Sequence, residues 1–537
     1  MARNGLGLAL AGLLVTAAPG AAPAEEDHAA RHRPGTAPHT LGQVHFAVTC
    51  TPEAQARFDQ AMKLQHSFWY QQAGEAFRSV RKADPGCTMA YWGEAMTLLL
   101  NPFGEPAPQN LQAGQALLAE AQRLGARSER EAGYIAALSE VFAGTEVPGH
   151  RARLARYEAA MAELHARYPE DHEAAILYAL ALDVAASPSD KTYAKQLRAA
   201  AILEEEFARQ PQHPGVAHYL IHTYDVPPLA ARGLPAALRY AGIAPDAPHA
   251  LHMPSHIFTR VGQWQASVDT NHRSAEVARA RSEVGDELHA LDYMVYAYLQ
   301  TAQDKAAGAV VGTLGGYTRR VTGNRAIPFA LAAMPARYAL ERGDWAAAAA
   351  LTPQESPYRY TTAMTHFARA LGAARSGHFG QAADDLAALG RIAEELRPGD
   401  PYWAEQVSIQ RLSAEGWVAF ASGEHYRGLA LLRQAAEREA KTEKAPVTPG
   451  PLAPARELLA DALLESGEAA AALAEFERVQ ETEPNRFRAV FGAARAAEQA
   501  GRADEARQHY ARLLEIAAGA DTPRPELAMA RRYLGRG

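Results

Sequence analysis

The sequence predicts an all-α chain built as an array of paired helices. Three observations carry that prediction. Alanine and leucine are abundant and long β-branched runs are absent, which favours helix over strand. From about residue 50 onward, amphipathic stretches alternate with short turns. The chain also repeats itself: Gly467 and Gly501, Ala472 and Ala506, and Phe476 and Tyr510 each stand 34 residues apart, as do Gly343 and Gly377. A fixed period of that length marks an architecture in which one helix pair cannot bury its apolar face alone and stacks on its neighbours. At 537 residues the chain also exceeds what one core normally organises.

The first element is an export signal, expected over residues 1–24. Arg3 supplies a positive start, an apolar run follows from Leu6 to about Ala18, and Ala22 and Ala24 suit cleavage before Glu25. That run is short for a membrane span, and no later segment reaches 18 uncharged apolar residues. The mature chain is therefore expected outside the cytoplasm, periplasmic or secreted, with no membrane span after cleavage. Residues 25–48, rich in Ala, Pro, His and charge, are expected to be disordered or extended. Cys50 and Cys87 are the only cysteines; in an exported protein an even count favours a disulfide, and two unpaired thiols are the alternative. The net charge of −7 and the lack of a basic block interleaved with aromatics speak against nucleic acid.

The later elements follow the repeat. A turn Gly, a small Ala, an aromatic and a closing Pro484 in "ETEPN" recur in register, and related units read "YQQAGEAFRSVRKADPGCTMAYWGEAM" (70–96), "YEAAMAELHARYPEDHEAAILYALAL" (157–182) and "GEHYRGLALLRQAAEREA" (423–440). Gly permits the inter-helix turn, Ala lets the helices approach, the aromatic fills the gap to the next unit and Pro ends the second helix. This pattern resembles the tetratricopeptide repeat (TPR). The resemblance implies a right-handed superhelical solenoid whose groove takes a protein or peptide partner. It divides the chain into degenerate repeats with a histidine-rich groove (49–325), further repeats (326–440), a linker "KTEKAPVTPGPLAP" (441–454) and two well-matched repeats (455–537).

Chemistry concentrates in the middle. Eight of the 20 histidines fall within residues 213–289. "HYLIH" (218–222) and "HMPSH" (252–256) each carry two histidines four apart, and His218 to His252 and His222 to His256 are both 34 residues; His289 follows His256 by 33. Residues i and i+4 share one helix face. Packed helices lie roughly 8–10 Å apart, so imidazoles on successive first helices can converge on an ion. His218, His222, His252, His256 and His289 are the expected metal ligands, with His249 as a sixth. Asp225 and Asp292, aligned by the same register, can supply oxygen or orient a ligand. Pro254 suits the first turn of a helix, which would place His252 at its start. The alternatives are a structural zinc clamp, or polar residues of an open groove. His66 can join the site if the solenoid curls far enough. Glu94, Asp225, Asp292 and Arg260 are the candidate catalytic residues, although Glu94 also reads as a solvated helix position and Arg260 as an ion-pair partner. Asn271 and His272 fall on a second helix and are expected to point away. There is no HExxH, G-x-S-x-G, P-loop or CxxC.

The set "LQHSFWY", "DPGCTMAYWGEAM", "HYLIHTYD", "PHALHMPSHIFTRVGQW" and "HALDYMVYAYLQ" further resembles a group of exported bacterial TPR proteins. That resemblance groups His66, Glu94, His218, His222, His249, His252, His256, His289 and Asp292, and implies no particular reaction. The function expected is a metal-dependent enzyme with one or two transition-metal ions, copper first, zinc or iron otherwise, acting on a small-molecule substrate as an oxidoreductase. A periplasmic scaffold or metal carrier without turnover, and a zinc-dependent hydrolase, are the alternatives.

Overall fold

The structure, a computed structural model, describes residues 39–144, 149–317 and 324–535. The expected signal segment and its cleavage site lie outside the described residues. Among the described residues all regular elements are helical, 26 α-helices with short 3-10 turns between some of them. Each helix packs on the next in sequence and often on the one after, the contact pattern of a solenoid. Residues 40–537 form one unit. No described helix is long and apolar enough to cross a membrane.

Local chemistry sets the pairs. Gly467 and Gly501 follow their helices with φ of +86° and +74°, the left-handed conformation that turns the chain back. Thr51 and Asp171 cap Pro52–His66 and His172–Val184 by accepting backbone N–H groups. The apolar core follows the stack. One cluster runs from Leu41 to Phe258, a second from Trp264 to Met334, and a third from Phe329 to Ala506. A fourth joins Ala302 to residues 487–530, so the C-terminal repeats pack back onto the middle of the chain. Trp264 Nε1–H donates to the Asn485 carbonyl at 2.9 Å, and Arg524 Nε donates to Asp304 at 3.0 Å.

Two segments are held more closely than their composition suggests. The described part of 25–48 is extended, and from Thr40 to Val48 it is packed: Leu41 and Phe46 are buried, and the Phe46 ring lies 4.9–5.7 Å from those of Tyr134, Phe58 and Trp92. Residues 441–454 do join two helices, His425–Glu439 and Ala455–Glu465, but they do not hang free as a linker. Arg337, itself buried, donates to the Thr448 hydroxyl and the Gly450 carbonyl at 2.7 Å each. Glu443 pairs with Lys191 and accepts from the Tyr193 hydroxyl. The segment is a strap tied to the helices Val284–Gln300 and Ala326–Glu341 through Tyr293 and Arg337. At the N-terminal end Cys50 and Cys87 form a disulfide, with Cα atoms 5.2 Å apart, closing a 37-residue loop.

Candidate metal centre

Three elements carry the central histidines. His213 caps the helix Pro214–Tyr224, its Nδ1 accepting the Val216 N–H, and Pro214 occupies the first turn where no N–H is needed. That helix presents His218 and His222 on one face. "PHALHMPSH" breaks into two short helices, Pro248–His252 and Pro254–Arg260. Pro254 does start a helix, but His252 closes the preceding one rather than opening its own. His289 lies on Val284–Gln300.

The six histidines gather into two adjacent triads, His218, His222 and His249 in one, His252, His256 and His289 in the other. Within each, one ligand atom per residue lies within 4.8 Å of the other two. His218 Nε2 is 3.1 Å from His222 Nε2 and 3.2 Å from His249 Nε2; His252 Nε2 is 3.0 Å from His256 Nε2. The triads touch: the His222 and His256 rings are 5.9 Å apart and those of His249 and His252 6.1 Å. Each triad thus takes an i, i+4 pair from one segment and its third member from the next. His249, expected as an extra ligand, completes the first triad; His289 completes the second.

The far nitrogens decide the tautomers. His218 Nδ1 lies 2.7 Å from the His66 carbonyl, which can only accept, so Nδ1 carries the proton. His256 Nδ1 lies 2.8 Å from Asp225 Oδ2 and must likewise donate to this carboxylate. His252 Nδ1 lies 2.6 Å from Asn271 Oδ1; the Asn271 amide nitrogen already donates to the Ser267 carbonyl, so here too Nδ1 donates. Burial pushes the imidazoles of His218, His222, His249, His252 and His289 well below their ordinary pKa, and lowers His256 against the opposing pull of Asp225. Neutral rings with Nδ1 protonated leave bare lone pairs on Nε2. In the second triad two such lone pairs face each other at 3.0 Å. Neutral nitrogens repel in that arrangement unless a cation sits between them. Ligands at 2.0–2.1 Å in a tetrahedral site are about 3.3 Å apart, close to the spacing observed.

Aromatic rings close each triad. Phe68 packs on His218, His222 and His249 with centroids 4.3–5.7 Å away, from a backbone held at φ +53°. Tyr293 does the same for His252, His256 and His289 at 4.8–5.3 Å. Neither ring stands out in the sequence as a site residue. Nor does Asn271, whose second-helix position was expected to point away; it reaches inward because Trp264–Ala280 packs directly behind "HMPSH".

The other expected residues take different places. His66 lies outside both triads, in a third cluster of metal-ligating side-chain types with Glu173 and His213: its Nε2 donates to Glu173 at 3.1 Å and its Nδ1 accepts from the Tyr219 hydroxyl at 2.9 Å. His213 donates to the other Glu173 oxygen at 2.9 Å. All nitrogens of this buried knot are used, and Gly215 lets it close, since a Cβ there would stand 2.4 Å from His66 Nδ1. Glu94 is held away from the histidines by Arg78 and Arg81. Asp225 sits behind His256 and accepts from Arg260 Nε and Lys444 Nζ at 2.8 Å each. Burial works upward on its carboxyl, but these two cations outweigh it and hold the group well below the ordinary range. Arg260 is therefore an ion-pair partner. Asp292 contacts Arg337 at 3.3 Å, and burial raises it to about 6. Asp225 and Asp292 lie outside both triads.

Residues 452–531 match the tetratricopeptide repeat family. Among solved structures the chain is similar to yeast Tom70, with 11% identity over 90% of this chain and 96% of that one and a TM-score of 0.34. It is also similar to the APC/C hetero-tetramer Cut9-Hcn1, with 13% identity over 90% of each chain and a TM-score of 0.30. No curated protein matches the chain. The described residues thus form an all-α helical solenoid, and its segment 452–531 carries tetratricopeptide repeats.

Proposed function

We propose that the two triads hold two neighbouring transition-metal ions and that the protein is a metalloenzyme, an exported oxidoreductase of the copper type. The opposed Nε2 lone pairs of His252 and His256, fixed by Asp225 and Asn271, carry this reading. The choice of metal follows from charge. All six ligands are neutral, and the nearest carboxylate, Asp225, is already matched by Arg260 and Lys444. Bringing charge into such a site is costly, so an ion with a monovalent state is favoured over a pair of divalent ones. Imidazole suits copper, and the ligand set lacks the carboxylate of a two-histidine iron site. A copper pair supplies two one-electron carriers side by side. The half-buried His249 and His289 mark the sides at which a small substrate can approach. The Cys50–Cys87 disulfide supports an oxidising compartment.

Metal analysis after reconstitution tests this. Wild type should retain about two equivalents of copper per chain. His249→Ala and His289→Ala, changed at the half-buried member of each triad, should each retain about one and the double variant almost none, with helical content unchanged. Two equivalents of zinc with exclusion of copper would point to the hydrolase. Less than about a tenth of an equivalent of any transition metal would leave the second reading, a protein-interaction scaffold, which the repeats at 452–531 support.

A further inference from the structure

The first triad turns on His218, whose Nε2 lies 3.1 Å from that of His222 and 3.2 Å from that of His249. Its tautomer depends on one carbonyl, that of His66. His66 is the last residue of the helix Pro52–His66, so this carbonyl has no partner within its own helix and can accept from a distant ring. Two residues on, Phe68 lays its ring on the same triad. One turn of chain, residues 66–68, therefore supplies both the acceptor and the cover of the first triad.

What holds that turn is a buried carboxylate. Glu173, the second residue of His172–Val184, takes His66 Nε2–H on one oxygen and His213 Nε2–H on the other, at 3.1 and 2.9 Å. The Tyr219 hydroxyl holds the second His66 nitrogen. Among the described residues the ion-pair partners of Glu173 are these two histidines, with no lysine or arginine. Burial pushes the Glu173 carboxyl up, but the two imidazoles outweigh it and leave it well below its ordinary range. The knot is not arranged for an ion. His213 Nδ1 accepts the Val216 N–H, so the proton of that neutral ring sits on Nε2, where a metal would need the lone pair. A buried charge is costly, and apolar residues of similar volume often serve stability as well, so its presence calls for another role. The second triad is anchored elsewhere, on Asn271 and Asp225.

We propose that Glu173 is a positioning residue of the first triad: through His66 it sets the carbonyl that fixes His218, and it leaves the second triad unaffected. Such a role rests on the metal reading above, but the hydrogen bond it protects exists in the metal-free chain.

Copper content of the mature chain after dialysis against a competing chelator tests it, alongside NMR of the metal-free chain carrying isotope-labelled histidine. Glu173→Gln offers one acceptor oxygen to two donors. It should hold about one copper where wild type holds about two, with the first-triad ion bound about tenfold or more weakly. Adding His289→Ala to it should leave almost none, whereas adding His249→Ala should leave about one. In the metal-free chain the His218 Nδ1–H resonance, identified by its absence in His218→Ala, should be shifted or lost in Glu173→Gln. Tyr219→Phe removes the hydroxyl at His66 Nδ1 and should shift the same resonance, which covers the case of a glutamine variant that misfolds. The proposal is overturned by equal loss of copper from both triads, which marks a general loss of stability. It is also overturned by unchanged copper and an unchanged resonance in the folded variants, or by a third equivalent in wild type that Glu173→Gln removes, which would make the knot an ion site. Wild type without copper would sink the metal reading, and the resonance would still show whether Glu173 sets His218.

Discussion

Phe68 and Asp183 both pay a local cost beside the histidines. A phenylalanine at φ +53° is strained by about 1 kcal/mol or more, and it is retained where its ring seals the first triad. Asp183, near the end of His172–Val184, is buried and its Oδ2 has no partner. Burial first, then the charge on Asp225, pushes its pKa up to about 8. A folded pKa above the unfolded value of about 3.9 means that the native state holds the proton more tightly. Its contribution to stability is complete below pH 4 and is lost as pH rises toward 8. At pH 7.5 the loss is on the order of 4 kcal/mol. Asp183→Asn, which needs no proton, should therefore raise Tm at pH 7.5, and the gain should vanish by pH 4. A lower Tm at pH 7.5 would mean that the carboxylate is charged and matched in the native state.

At the scale of elements, the strap 441–454 joins the C-terminal helices to the metal half. Lys444 reaches Asp225, Tyr293 Oη lies 3.0 Å from the carbonyls of Pro446 and Thr448, and Arg337 holds Thr448 and Gly450. The same Tyr293 ring covers the second triad, so the strap and the triad share a wall. Arg337→Met removes the central donor from Asp292 and from the Pro451 carbonyl, and leaves the Thr448 hydroxyl and the Gly450 carbonyl with only their mutual hydrogen bond, a loss of about 3–5 kcal/mol for a buried pair broken on one side. Brief trypsin digestion, followed by mass spectrometry, should then show new cleavage after Lys441 or Lys444, which wild type resists. Equal resistance in the variant would show that the strap is held by its other contacts.

At the scale of the whole molecule, an ideal solenoid is a sum over neighbouring repeats and can fray from its ends. Here distant parts are tied together: Trp264 to Asn485, Asp304 to Arg524, and Arg325 Nη2 to the Glu105 carbonyl at 3.1 Å. Residues 40–537 should accordingly melt in one transition, with calorimetric and van't Hoff enthalpies in agreement. Arg524→Met strips a buried partner from Asp304 and releases the C-terminal helix Pro525–Tyr533. A separate, lower transition for the last repeats is expected in that variant. A single transition unchanged in width would show that helix packing alone joins the ends.

The sequence by itself determined the helix pairs, the 34-residue register and the two i, i+4 histidine pairs, because turn glycines, helix faces and repeat packing are properties of short segments. It also brought out all six histidines of the triads and the cysteine pair. The division into two triads came only with the tertiary structure. His249 joins His218 and His222, while His252, three residues on in the same short helix Pro248–His252, joins His256 and His289. The groups that fix the tautomers, the His66 carbonyl, Asn271 and Asp225, lie 152, 19 and 31 residues from the histidines they hold. Lys444 reaches Asp225 across 219 residues. No local period encodes such distances. They follow from how far the superhelix turns per repeat, and small packing angles between helices accumulate into that turn only when the whole stack is assembled.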